Sequence, residues 1–174
     1  MIATRRRRLV LGALACLFSL TQVIPAAATT LARTDPNDTR SPLDLRRIRV
    51  THTAGADVFR IATHEGFRDG RVDGERGWLR IGFAAAEDGW RRSVYVMTVE
   101  GELRGVVAAR DGSFLRFVPV RRIADDRVAV HVPVTVTGGT PYRFAVWSVW
   151  NRSPCSRTTP CVDWVPDAGT IRHA

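Results

Sequence analysis

From Gly77 to Val134 the chain is a succession of short apolar runs separated by glycine- or acid-containing breaks, and no run keeps a helical period. Leu79, Ile81 and Phe83 alternate with polar or small residues. Ser93 to Val99 is apolar at both parities. Leu103 to Ala109 and Phe114 to Val120 flank Asp111-Gly112, a dipeptide suited to a hairpin turn with positive φ. Val128, Val130, Val132 and Val134 then alternate with Arg127, Ala129, His131 and Pro133. A repeat of two places alternate side chains on opposite faces of a pleated strand, so each run predicts a strand with one face toward a core. Pro133 has no amide hydrogen to donate, so its strand should lie at an edge or stop there.

The same reading extends in both directions. Ile48, Val50 and His52 oppose Arg47, Arg49 and Thr51, and the Ala54–Asp57 turn leads into Val58–Thr63, with Phe59 and Ile61 inward. Gly66 to Gly77 is a polar connection that should change sheets or carry an edge. Gly138-Gly139 turns the chain into Tyr142–Trp150, where Tyr142, Phe144 and Val146 face one way and Trp147 and Val149 the other. About eight strands at near-regular spacing predict an all-β fold, an antiparallel β-sandwich, with a closed barrel as the alternative.

The first residues differ in composition. Arg5 to Arg8 form a positive head, Leu9 to Ile24 is mainly apolar, and Pro25-Ala26-Ala27-Ala28 is a small-residue exit, which predicts a cleaved helical signal peptide over 1–28. The apolar stretch is short of the roughly 20 residues that span a bilayer and is interrupted by Ser19, Thr21 and Gln22, so no stable membrane insertion is expected after its removal. The arginines beside Leu9-Val10 leave Sec and twin-arginine export both open. Residues 29–42, with Pro36 and Pro42 and few large apolar side chains, read as an extended or disordered lead-in. The β-sandwich domain is then 43–174.

Charge and cysteine follow from this division. The chain carries 26 basic and 17 acidic residues for a net charge of +9. With the four leader arginines removed, 22 basic residues face 17 acidic ones, a net charge of +5. That is a mild attraction to anionic polymers and no argument for nucleic acid. Cys155 and Cys161 are the cysteines that follow the leader, and export makes them a disulfide closing a small C-terminal loop.

Candidate chemistry is sparse. There is no Gly-x-Ser-x-Gly elbow, no His-Glu-x-x-His pair and no phosphate-cradling glycine loop with lysine, so no catalytic residue is assigned and an enzyme is not expected. A concave site bringing together His64, Asp163 and Arg172 would revive one. Asp35, Asp38 and Asp44, with Asn37, gather oxygen ligands ahead of the first long strand and are the candidates for calcium, with turn chemistry as the alternative. Trp147, Trp150 and Trp164, with Arg152, crowd the C-terminal region, where aromatic faces and a guanidinium suit a flat polar ligand such as a sugar ring.

Three stretches carry a resemblance: Asp35-Pro36-Asn37-Asp38 with Leu43-Asp44, the strand series from Leu79 to Val134, and Cys161-Val162-Asp163-Trp164-Val165-Pro166-Asp167-Ala168-Gly169. Together they resemble uncharacterised secreted proteins of actinobacteria, and the strand series is similar to DOMON-like and carbohydrate-binding-module-9-like sandwiches. The resemblance implies a non-catalytic extracellular module associated with sugar or the cell envelope. In such sandwiches the loop after the first long strand of the series is often an aspartate-rich metal loop, a pattern from which Ala84 to Gly89 departs here; a DOMON haem would want paired axial ligands such as Met97 and His131, which no spacing in the sequence brings together. The expectation is a secreted monomer that binds a glycan or another envelope polymer, with a protein-interaction or structural module as the alternative.

Overall fold

The computed structural model describes residues 30–84, 89–152, 155 and 160–174. The expected signal peptide and most of the Ala84–Gly89 loop lie outside the described residues. Among the described residues eleven strands form one antiparallel sheet: β1 (Thr30–Thr34), β2 (Leu45–His52), β3 (Ala56–Thr63), β4 (Gly77–Ala84), β5 (Trp90–Val99), β6 (Glu102–Ala109), β7 (Phe114–Ala124), β8 (Arg127–Pro133), β9 (Tyr142–Trp150), β10 (Cys161–Val165) and β11 (Ile171–His173). Their lateral order is β1-β2-β3-β8-β7-β6-β5-β4-β9-β10, and β11 pairs with β9.

All eight expected strands are present as β2 to β9, but the count of about eight is corrected to eleven. β1 and β11 have little apolar pattern of their own, and β10, although mostly apolar, is only five residues long and carries Asp163 at an inward position. β1 falls within the segment expected as a lead-in, where it adds to the edge of β2 through Leu31↔Val50 and its neighbours. β10 and β11 lie end to end along one edge of β9, opposite Val146–Trp150 and Tyr142–Phe144. β8 stops at Pro133, and a single helical turn, α1 (Val134–Thr137), follows in place of further strand.

The sheet turns over at β7 so that its two halves, called layers below, face each other in a nearly barrel-like arrangement. Its first part pairs with β6 through Pro119 and its second part with β8 from Val120, so one strand belongs to both layers. Proline suits the handover because it has no N–H to leave unpaired as partners change. The inward residues of the layers make one core. Ile48, Val50, Phe59, Ile61, Val128 and Val130 from one layer meet Leu79, Ile81, Phe83, Val94, Phe144 and Val146 from the other. Phe59 bridges the layers, edge-on to Phe83 at 5.7 Å and to Phe144 at 5.2 Å between ring centroids.

Gly66–Gly77 does change layers, carrying the chain from β3 to β4 through a short turn at Asp69–Arg71. It is less polar in effect than in composition: Phe67 and Val72 are buried in the core, and Arg122 pairs with Asp69 while lying over Phe67.

Opposite β7 no ladder joins the layers among the described residues. The start of β2 touches β10 there through a side chain, the backbone N–H of Leu45 donating to Asp163 Oδ2 at 2.5 Å. Both ends of the interlayer space on this side are closed by polar residues. Asp44 and Asp163 are buried at the end where β2 begins, and Asp57 and His173 where it finishes. β2 thus runs from one polar cluster to the other, about 26 Å at 3.3 Å per residue.

Candidate functional site

The outer face of the β7-to-β10 layer carries a row that sequence spacing alone does not reveal. Paired positions share a face in an antiparallel sheet. Phe117 is opposite Val106, Val106 opposite Tyr95, Tyr95 opposite Arg80, Arg80 opposite Trp147 and Trp147 opposite Trp164. Six residues from six strands therefore lie in one line, spanning about 24 Å at 4.8 Å per strand. The ends are open, Phe117 being 43% and Trp164 40% exposed.

The middle of the row is tightly made. Trp164 stacks on Trp147 with ring centroids 4.8 Å apart and planes 16° from parallel. Arg80 lies over the other side, its guanidinium carbon 4.2 Å from the Trp147 ring and 5.1 Å from the Tyr95 ring, with Nε donating to Ser93 Oγ at 2.9 Å. A cation over an aromatic face is held by the ring quadrupole, most strongly where water is partly excluded. Burial holds the Arg80 pKa below its ordinary value. Trp90 packs on Trp147 from the side at 5.3 Å, and Ala145, Val149 and Trp78 complete an apolar cluster separate from the main core. Gly82 makes room for it: a Cβ there would fall 2.7 Å from atoms of both Trp147 and Trp90.

Of the expected ligand contacts, Trp147 and Trp164 come together. Trp150 has the opposite parity on β9 and packs, partly buried, against the main core. Arg152 is exposed beyond the end of β9. Arg80, Tyr95 and Phe117 were not legible as site residues, because the row exists only once register is known. Cys155 and Cys161 form the expected disulfide. Met97 and His131 lie in different layers, opposite Arg104 and Val58, and do not meet as axial ligands would.

The expected oxygen cluster is also assembled, with one addition. Ligand atoms of Asp35, Asp38, Asp44 and Asp163 lie within 4.8 Å of one another. Asp35 follows β1 with its N–H donating to Arg46 O at 2.9 Å, and Asp44 precedes β2. Asp163 arrives from β10 in the inward position between buried Cys161 and Val165. A charged residue at an inward parity was the signal that could have marked it. Thr39 Oγ1 donates to Asp44 Oδ1 at 2.9 Å, while Asp35 Oδ2 and Asp44 Oδ2 are buried without a protein partner.

Burial and then the charges of Asp163, Asp167, Asp38 and Asp44 push Asp35 up to about 7. Asp163 is pushed up to about 6 by burial, against the Leu45 N–H that favours its charged form. Four carboxylates in one partly dry place repel each other unless protons or a cation intervene. The donor set is all oxygen, comes from three chain segments and retains unused lone pairs, which fits a hard divalent cation such as calcium. His64 stands at the edge of the cluster, its Nε2 3.2 Å from Asp35 O, whereas Arg172 lies on β11 opposite Arg143. The three residues that would have suggested an enzyme do not converge.

The other layer's outer face is basic. Arg46, Arg47, Arg49, Arg60 and Arg127 line an open groove of about 360 Å3. A bulge between Leu45 and Arg47 in β2 brings Arg46 and Arg47 to this surface together. Arg46 and Arg127 share Asp126, and Arg60 donates to Thr51 Oγ1 at 3.2 Å. Among the described residues no helix is long and apolar enough to cross a membrane. No protein-family model matches the chain, and no curated protein matches it.

Proposed function

We propose that the protein is a non-catalytic module, exported and monomeric, that binds an extended glycan of the cell envelope along the outer row from Phe117 to Trp164. The observation that carries this reading is the row itself, with exposed aromatic ends and a cation–aromatic centre on a rigid sheet. Sugar rings present flat C–H faces that stack on indole and hydroxyls that accept from guanidinium. A linear array of such contacts suits a chain ligand better than a small one. Calcium at Asp35, Asp38, Asp44 and Asp163 serves this reading as a clasp between the start of β2 and β10, away from the row.

The test is retention of the leaderless protein on purified cell-wall polysaccharide, together with a glycan array. Trp164→Ala removes an exposed ring and should lower affinity about 2- to 12-fold, the roughly 0.5–1.5 kcal/mol of an aromatic stack. Absence of retention by the unaltered protein, or equal retention of the variant, would overturn the reading. A second reading, a protein-interaction module, is favoured by Phe114, Leu115 and Phe117, which are exposed side by side at one end of the same face. It predicts self-association or partner capture that Leu115→Glu abolishes while glycan retention is unchanged.

A further inference from the structure

The second polar cluster has a different chemistry from the acidic one. Asp57 stands at the inward position that begins β3 and is completely buried. Such a carboxylate needs compensation, because an ionised group in a dry interior is costly unless paired. Its neighbours are two imidazoles and a phenol. His52 Nδ1 lies 2.7 Å from Asp57 Oδ1, and His173 Nε2 lies 3.6 Å from the same oxygen. Tyr142, edge-on to the His173 ring at 5.1 Å, closes the inner side.

Compensation by these groups is incomplete. Asp57 Oδ2 and His173 Nε2 are buried without a close hydrogen-bond partner, and the buried Tyr142 hydroxyl lies beside Asp57, whose charge acts on it. His173 is 2% exposed, and its Nε2 faces Asp57 and not solvent. His52 is the contrary case, with its side chain 31% exposed, which leaves one way in from the surface. One donor atom from each of His52, Asp57 and His173 falls within a 4.8 Å span.

We propose that His52, Asp57 and His173 form a binding site for a zinc-class divalent transition metal. Imidazole nitrogen with one carboxylate is the donor set of that class, whereas the all-oxygen cluster at the other end of β2 suits calcium. Zinc bonds nitrogen at about 2.0–2.1 Å and carboxylate oxygen at about 2.0–2.2 Å, so tetrahedral ligand atoms lie roughly 3.3–3.5 Å apart. The 3.6 Å between Asp57 and His173 is already close to that spacing. The 2.7 Å hydrogen bond of His52 must open slightly, and the half-exposed ring is the one free to move. Binding releases to solvent the proton held between His52 and Asp57 and takes both imidazoles as neutral ligands, through His52 Nδ1 and His173 Nε2. The fourth position falls to water or to the Tyr142 hydroxyl.

The consequence is structural. His52 and Asp57 belong to one layer and His173 to the other, so the ion would fasten the side of the fold that no ladder closes. The experiment adds cobalt(II), then zinc, to the leaderless full domain stripped with chelator, with calcium present to saturate the acidic cluster. A tetrahedral visible band at one cobalt per chain, displaced by zinc, and a raised melting temperature are expected. His52→Ala alters a half-exposed ring and should weaken zinc at least tenfold, while Asp38→Asn leaves it unchanged. In the unaltered protein, long-range 1H–15N spectra should show His52 Nδ1 and His173 Nε2 shifting together. No visible band, no shift of these nitrogens, or undiminished binding by a folded His52→Ala would overturn the proposal.

Discussion

Gly82→Ala tests whether the outer row is a built feature or a chance alignment. A Cβ at Gly82 would stand 2.7 Å from Trp147 Cη2, 2.7 Å from Trp90 Cε3 and 2.8 Å from Trp147 Cζ3. Ordinary contact begins near 3.4 Å, so the rings must withdraw by about 0.7 Å. Trp147 has nowhere to go without loosening Arg80 on one side or Trp164 on the other. Overpacking of this kind costs about 1–3 kcal/mol. At about 2–4 °C per kcal/mol for a chain near this size, melting should fall by roughly 2–12 °C. Because the clash is outside the main core, near-ultraviolet circular dichroism and tryptophan emission should change while the far-ultraviolet strand signal stays. Glycan affinity should fall with them. Gly105→Ala is the contrast: its Cβ would meet Val118 and Val94 inside the core at 2.5 and 3.1 Å, harming stability and leaving the row's geometry alone. A Gly82→Ala protein as stable as the parent, with unchanged emission and affinity, would refute the reasoning.

Two further outcomes are expected. Phe59→Ala removes a fully buried ring that touches both layers and should cost about 3–5 kcal/mol, read as a lowered urea midpoint; a loss under 1 kcal/mol would mean the layers are held together elsewhere. In chelator, Asp35 (up to about 7) and Asp163 (up to about 6) keep protons that the unfolded chain releases near the ordinary value of 3.8. Their contribution is therefore greatest at acid pH and is lost as pH rises from about 4 to about 7. Calcium should reverse that loss at pH 7.5 and do little at pH 4.5. Melting curves that coincide with and without calcium at both pH values would remove the clasp.

The strands were readable where the chain supplies its own two-residue alternation, as in Val128–Val132 or Leu79–Phe83. They were not readable where a neighbour supplies the reason for being extended. Thr30–Thr34 has one large apolar residue and becomes a strand because β2 offers an edge; Ile171–His173 is three residues long and follows β9. The aromatic row needed register, which no spacing gives, although parity alone separates Trp147 from Trp150. Three of the four acids were visible because they sit within ten residues of one another. Asp163 lies 118 residues beyond its hydrogen-bond partner Leu45 and joins them only through the packing of β10 against β2.

Because β7 is shared, neither layer has a complete set of neighbours when the other is gone. Losing β8 would strip one half of that strand of its partner, and losing β6 the other half. Partial opening should therefore be confined to the margins, such as β1 and β11, whereas amides of β3 to β9 should exchange with solvent together, at the free energy of global unfolding. For the proposed binding face this matters: the row cannot be remodelled piecemeal, so a ligand would meet a surface already in its final shape.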